Sequence, residues 1–202
     1  MKKILCIALL LSLAPVAAFA QSRSTVDGKV GTVYATDPEA FGLNVGFTWM
    51  KELDPFFALG LDPSIFWIRW RDKLDKITTE SGVAGSKVRD TDAFMMPVLA
   101  NAQVRLVPLE AKLKGFLPYF NLGLGYSPMI LSYQNADGDA RTDYFGGFTS
   151  RFSVGMAYTP GSNSRIRFIV EAGYQYAPLK NFDDVEIDMS GPFASIGVRY
   201  PL

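Results

Sequence analysis

The sequence predicts an all-β protein: an eight-stranded antiparallel up-and-down transmembrane β-barrel that follows a cleaved signal peptide. Three observations carry that expectation. Residues 1–20 have the layout of an export signal. The rest of the chain alternates apolar and polar residues over short runs. The apolar phase of that alternation holds the bulky side chains, and the polar phase holds small residues and single charges.

Lys2 and Lys3 give the first segment a basic start, Ile4 to Val16 an apolar run, and Ala18-Phe19-Ala20 a small-residue cleavage site. The apolar run is too short for a spanning helix, which needs roughly 20 residues. Cleavage after Ala20 is therefore expected, leaving one barrel domain over residues 21–202. Two of the 20 Lys+Arg and none of the 20 Asp+Glu fall in the signal, so the remainder is slightly acidic. No basic patch points to nucleic acid. Cys6 also lies in the signal, which removes any disulfide framework from the exported chain. Histidine is absent, and with it the commonest general base and metal ligand. No catalytic residue, metal site or cofactor is expected.

The strands follow in order. Residues 25–34 set Val26, Val30 and Tyr34 against Asp27 and Lys29. Phe41, Leu43, Val45, Phe47 and Trp49 alternate with Gly42, Asn44, Gly46 and Thr48. Residues 56–70 set Phe57, Leu59, Leu61, Ile65 and Trp67 against Ala58, Gly60, Asp62 and Ser64. Pro63 predicts a bulge or kink there, with a phase slip near Arg69. Val98 to Val107, Phe120 to Ser127, Arg151 to Tyr158, Phe168 to Tyr176 and Ala194 to Leu202 repeat the period of two. Later apolar runs are all broken within a few residues, so no helix is expected to cross the bilayer. Without helices, only a closed barrel satisfies every backbone group in lipid.

Small residues on the polar phase fit a narrow eight-stranded lumen, and bulky residues on the other phase fit a lipid-facing wall. The connections at 51–55, 108–116 and 159–164 are shorter than those at 71–93, 128–147 and 177–191. This asymmetry predicts periplasmic turns and termini, with long extracellular loops. Aromatic belts are expected at the periplasmic rim from Trp49, Tyr158 and Tyr200. Tyr34, Trp67, Tyr126 and Tyr176 would form the outer belt.

The predicted lumen-facing charges are Asp27, Lys29, Asp62, Arg105, Arg151, Glu171 and Arg199. In a small lumen they are expected to pair and plug the barrel, with Glu171 meeting at least one of Lys29, Arg151 and Arg199, because an unpaired charge is costly there. The segment Asn135-Ala136-Asp137-Gly138-Asp139 resembles a calcium loop, but its glycine is misplaced and no glutamate closes it, so it reads as a solvated turn. Gly123-Leu124-Gly125 lies within a strand and opens no helix, which rejects a nucleotide fingerprint. The acidic run 183–188 is expected to extend the last hairpin above the membrane. Its carboxylates would serve solubility or cation-bridged contact with lipopolysaccharide.

The stretches NAQVRL (101–106), PYFNLGLGY (118–126), VEAGYQY (170–176) and SIGVRYPL (195–202) resemble the small outer-membrane barrels of the OmpA, OmpX, OmpW and opacity-protein superfamily. The resemblance implies a bacterial outer-membrane location and contact with membrane lipid and lipopolysaccharide. It also implies recognition of the C-terminal strand by the barrel-assembly machinery, although Leu202 stands where the group usually has an aromatic residue. A further implication is a barrel without an appended peptidoglycan-binding domain. Two functions stay open. One is a structural or surface-interaction protein with a plugged lumen and exposed loops. The other is a narrow passive channel for small, hydrophobic solutes, with Met129-Ile130-Leu131, Val185, Ile187 and Met189 forming an apolar mouth.

Overall fold

A computed structural model describes residues 23–70, 91–134, 140–161, 164–182 and 184–202. The predicted signal peptide, most of the predicted loop 71–93 and the turn at 135–139 lie outside the described residues. The strands are β1 (Ser24–Ala35), β2 (Ala40–Glu52), β3 (Phe57–Trp70), β4 (Thr91–Met95), β5 (Val98–Arg105), β6 (Phe116–Gln134), β7 (Ala140–Tyr158), β8 (Arg167–Tyr176), β9 (Pro178–Lys180), β10 (Glu186–Asp188) and β11 (Gly191–Pro201). One short helix, α1 (Val107–Glu110), sits between β5 and β6.

These strands form eight staves of one closed antiparallel wall. β4 and β5 share a stave, because β3 and β6 each pair with both in a single register. β9 continues the stave of β8 along β7, and β10 continues that of β11. Closure comes from β1, where Val26 pairs with Trp49 of β2 on one side and Tyr200 of β11 on the other. Closure removes the unpaired strand edges that lipid cannot satisfy. Among the described residues no helix is long and apolar enough to cross a membrane.

Local chemistry sets the tight turns. Between β2 and β3, the carboxylate of Asp54 accepts from the backbone N–H groups of Phe56 (2.7 Å) and Phe57 (2.8 Å), a side-chain-stapled turn. Before β6, Lys114 and Gly115 take positive φ angles of 52° and 94°, which reverses the chain after α1.

The alternation sorts the wall as a membrane requires. Phe47, Leu61, Leu124, Phe152, Val170 and Ile196 point outward and are exposed. A water-soluble monomer rarely shows so large an apolar surface. Asp27, Lys29, Asn101, Asn121, Ser153 and Glu171 point inward and are buried.

Three expectations are corrected. No bulge or phase slip occurs in β3: its pairing with β5 and β4 keeps one register from Phe57↔Val104 to Trp70↔Thr91, and inward and outward positions alternate throughout. The ladder with β2 merely opens beside Pro63, which lacks an N–H, and resumes unshifted on both sides. The segment 128–147 is not a long loop. Its flanks continue the β6–β7 hairpin, out to Gln134↔Ala140. Nor is the lumen filled by small and charged residues alone. Its loop-side half holds an apolar cluster that includes Phe66, Ile68, Trp70, Met95, Phe145 and Phe193.

These corrections share a cause. Above the middle of the barrel both faces of the wall are apolar, so the period-two contrast fades while the strands continue. Phe66, Ile68 and Trp70 on β3 and Met129 and Leu131 on β6 are buried inside, whereas Ile65, Trp67 and Tyr126 are exposed outside.

Candidate functional site

Inward-facing positions of neighbouring staves meet across a lumen narrow enough for their side chains to touch. The chemistry gathered there falls into tiers. At the end where β1 begins and β11 ends, Arg199 on β11 grips Asp27 on the adjacent β1 with two parallel bonds, Nε to Oδ1 at 2.8 Å and Nη2 to Oδ2 at 2.7 Å. This fork geometry is the strongest form of an ion pair between side chains. The third guanidinium nitrogen reaches Gln103 Oε1 at 3.2 Å, and the guanidinium lies 5.1 Å from the Tyr119 ring centre. Arg105 Nε donates to the same Gln103 oxygen at 2.9 Å, and its Nη1 donates to Glu52. Gln103 Nε2 in turn donates to Asn121 at 2.9 Å. Tyr119 lies over Gly155, where a Cβ would come within 2.3 Å of the ring, so any larger residue at that point of β7 would have to displace the tyrosine.

At mid-height Asp62 is the hub. Its Oδ2 lies 3.3 Å from Lys29 Nζ and 3.6 Å from Arg151 Nη1, and its Oδ1 accepts from Thr48 at 3.0 Å. Lys29 also lies 3.6 Å from Glu171, which accepts a bond from Ser153. Arg151 donates to Gln175 at 2.6 Å. Four cations (Lys29, Arg105, Arg151, Arg199) thus face four carboxylates (Asp27, Glu52, Asp62, Glu171), and the network is neutral. The space between Asp62, Asn101, Gly123, Arg151 and Glu171 has no room for a water-sized sphere.

Arg151 joins this tier to the next, with its guanidinium 5.0 Å from the Phe193 ring centre. Beyond it apolar side chains dominate the lumen, around the buried Thr91, Ser127, Thr149 and Ser190. Met95, Met129, Leu131, Leu179, Ile187 and Met189 are all buried there. The hairpin of β9 and β10 turns Leu179 and Ile187 inward over the mouth, and its polar residues Lys180 and Glu186 pair outside at 3.2 Å. The predicted apolar mouth is thereby divided. Met129, Leu131, Ile187 and Met189 meet inside, whereas Val185 is exposed and Ile130 lies outside the cluster.

The network brings together Lys29, Asp62, Arg105, Arg151, Glu171 and Arg199, along with Glu52. Glu52 stands at a strand end, where alternation carries no signal. Of the aromatic residues, Trp49, Tyr158, Tyr200, Trp67, Tyr126 and Tyr176 are exposed on the outer wall, and Tyr34 is half-buried against Phe41 at 5.0 Å. Trp49 and Tyr200 flank Val26 on adjacent staves, and Tyr158 stacks on Phe116 at 4.5 Å. Trp67 stacks on Phe94 at 6.3 Å. Tyr126 is not at the end of its stave, because β6 runs on to Gln134. Among the described residues no group of three or more His, Cys, Asp or Glu is placed to hold a metal ion.

The Lys29–Glu171 contact predicts coupling. Glu171→Met strands part of the Lys29 charge, whereas Lys29→Met with Glu171→Met removes both partners. The double variant should lose less stability than the two singles summed, by roughly 0.5–3 kcal/mol. Urea unfolding of the four proteins in lipid vesicles measures this, and strict additivity would exclude the contact.

Two solved structures share the fold. Neisserial surface protein A aligns with 89% of this chain and 96% of its own at 12% identity and a TM-score of 0.53. A major outer membrane protein from Thermus thermophilus aligns with 90% of this chain and 99% of its own at 10% identity and a TM-score of 0.51. No curated protein matches the chain significantly. The family described as outer membrane protein beta-barrel domain matches residues 6–200. With a closed barrel, an apolar outer wall and a family match over nearly its whole length, the chain belongs to the outer membrane protein beta-barrel domain family and resides in the bacterial outer membrane.

Proposed function

We propose that this protein is a sealed, non-catalytic surface platform of the outer membrane. A stable barrel holds loops at the cell exterior, and no solute passes through it. The observation that carries this reading is the double closure of the lumen, by a neutral ion network and then by an apolar layer. An aqueous pore needs a continuous polar path, and an apolar constriction opposes the passage of water and ions. In this reading residues 1–20 are the cleaved signal and residues 21–202 the barrel. The termini and the turns at 53–56, 106–115 and 159–166 face the periplasm. The lipid boundaries are set by the aromatic residues of the outer wall. Lipid and lipopolysaccharide surround the wall, and the C-terminal strand β11 is read by the assembly machinery. The β9–β10 hairpin, with Phe182 at its tip and 99% exposed, is presented outward.

Labelling of intact cells with a membrane-impermeant maleimide tests the display. Phe182→Cys should label strongly. Lys112→Cys, on the turn after α1, should label only after the outer membrane is permeabilised. The reverse pattern would overturn the orientation.

A further inference from the structure

The barrel end where β1 begins and β11 ends opens into a cavity of about 360 Å³. Five arginines line it (Arg23, Arg105, Arg165, Arg167 and Arg199), against two carboxylates, Glu52 and Glu110. Three of the five are matched within the protein: Arg199 by Asp27, Arg105 by Glu52, and Arg167 by Glu110 at 3.7 Å. Arg23 and Arg165 are exposed and enter no ion pair among the described residues. The cavity therefore carries an excess of positive charge. Its carboxylates are already engaged.

A second observation points the same way. Arg105 Nη2 and the Thr25 hydroxyl are buried and have no hydrogen-bond partner, and both residues line this cavity. Each residue is only 5% exposed. A buried donor left unmatched is costly, and more so on a charged group. The partner the guanidinium lacks is an oxygen acceptor, and the hydroxyl can donate to the same group. Guanidinium groups favour planar or tetrahedral oxyanions, which accept bonds from several N–H groups together.

We propose that this vestibule binds an oxyanion, a phosphate or carboxylate group. Arg105 and Thr25 supply the inner donors, and Arg23 and Arg165 supply charge at the rim. In the orientation proposed above this vestibule opens to the periplasm, which would supply the anion. The binding test is made on purified protein and does not depend on that orientation.

The exported chain, refolded in zwitterionic detergent, should bind inorganic phosphate or acetate saturably by titration calorimetry, and more weakly as salt is raised. Arg23→Gln with Arg165→Gln should weaken binding about tenfold or more, which corresponds to about 1.4 kcal/mol or more. Thr25→Val should weaken it without lowering the urea midpoint, because the hydroxyl it removes is unpartnered in the empty barrel. Lys180→Gln, at the opposite end, should change nothing. Repeating the titration in micelles doped with phosphatidylglycerol separates the sources. Competition by the lipid assigns a headgroup, and indifference to it assigns a soluble anion. Absence of saturable binding to phosphate, acetate and the anionic lipid would overturn the proposal, as would equal binding by the double arginine variant.

Discussion

Asp62→Ala should cost the barrel about 3–5 kcal/mol, the scale of removing one partner from a buried ion pair. Asp62 is 1% exposed and serves three groups together, Lys29, Arg151 and Thr48. Its removal leaves Lys29 with Glu171 alone and Arg151 with Gln175, so the lumen retains one uncompensated positive charge. The low-dielectric surroundings make that charge expensive, because water cannot reach it to replace the lost carboxylate. Asp92→Ala provides the contrast. Asp92 is half-buried at the loop end and faces Arg69 at 3.8 Å across exposed surface. Such pairs contribute only about 0.2–1 kcal/mol. Urea midpoints of both variants in lipid vesicles measure the difference, and equal losses would remove Asp62 from the centre of the network.

The outer wall gives the second large effect. Leu124 on β6 and Val154 on β7 face outward near the middle of their staves, with Ala100 and Ser150 beside the first and Phe120 and Ala172 beside the second. Leu124→Arg or Val154→Arg should destabilise the folded barrel by about 2–4 kcal/mol in vesicles, the cost of a cation at the bilayer midplane. Thr142→Arg, on the exposed loop end of β7, should change stability by less than about 0.5 kcal/mol. If Leu124→Arg proved as mild as Thr142→Arg, the wall around β6 would not face lipid.

Much of this architecture was legible in the sequence because the terminus-side half of the barrel follows one rule, bulky outside and small or charged inside. Phe152 and Val154 against Arg151 and Ser153, or Val170 against Glu171, carry that rule in consecutive residues. Every lumen cation of the network lies on such a run, as do Asp27, Asp62 and Glu171. The rule fails where the interior becomes apolar. Thr91–Met95 escaped as a strand because both Ala93 and Met95 inside and Phe94 outside are apolar. The extension of β6 through Met129 and Leu131 was hidden for the same reason. Pro63 misled in the opposite sense. Proline removes a donor, but in a lipid-facing position on a wall held by both neighbours the register survives.

The site was less legible than the fold. Alternation tells which charges point inward, and closure of the barrel marks Glu171 as a partner for Lys29, Arg151 or Arg199, of which Lys29 is the one it meets at 3.6 Å. The other contacts depend on the stagger between staves. Arg199 and Asp27 are direct neighbours in register. Lys29 and Asp62 belong to staves separated by β2, and Lys29 and Glu171 to staves separated by β11. Only closure of the barrel brings those groups within 4 Å. The orphaned donors of Arg105 and Thr25 could not be foreseen either, because an unmade bond leaves no trace in a residue pattern.

Single-channel recording decides whether the lumen is closed. The refolded barrel, inserted into a planar bilayer under an applied voltage, should give a steady baseline without discrete current steps. Reproducible openings of uniform conductance from the unmodified protein would contradict the seal and favour a passive channel through the barrel.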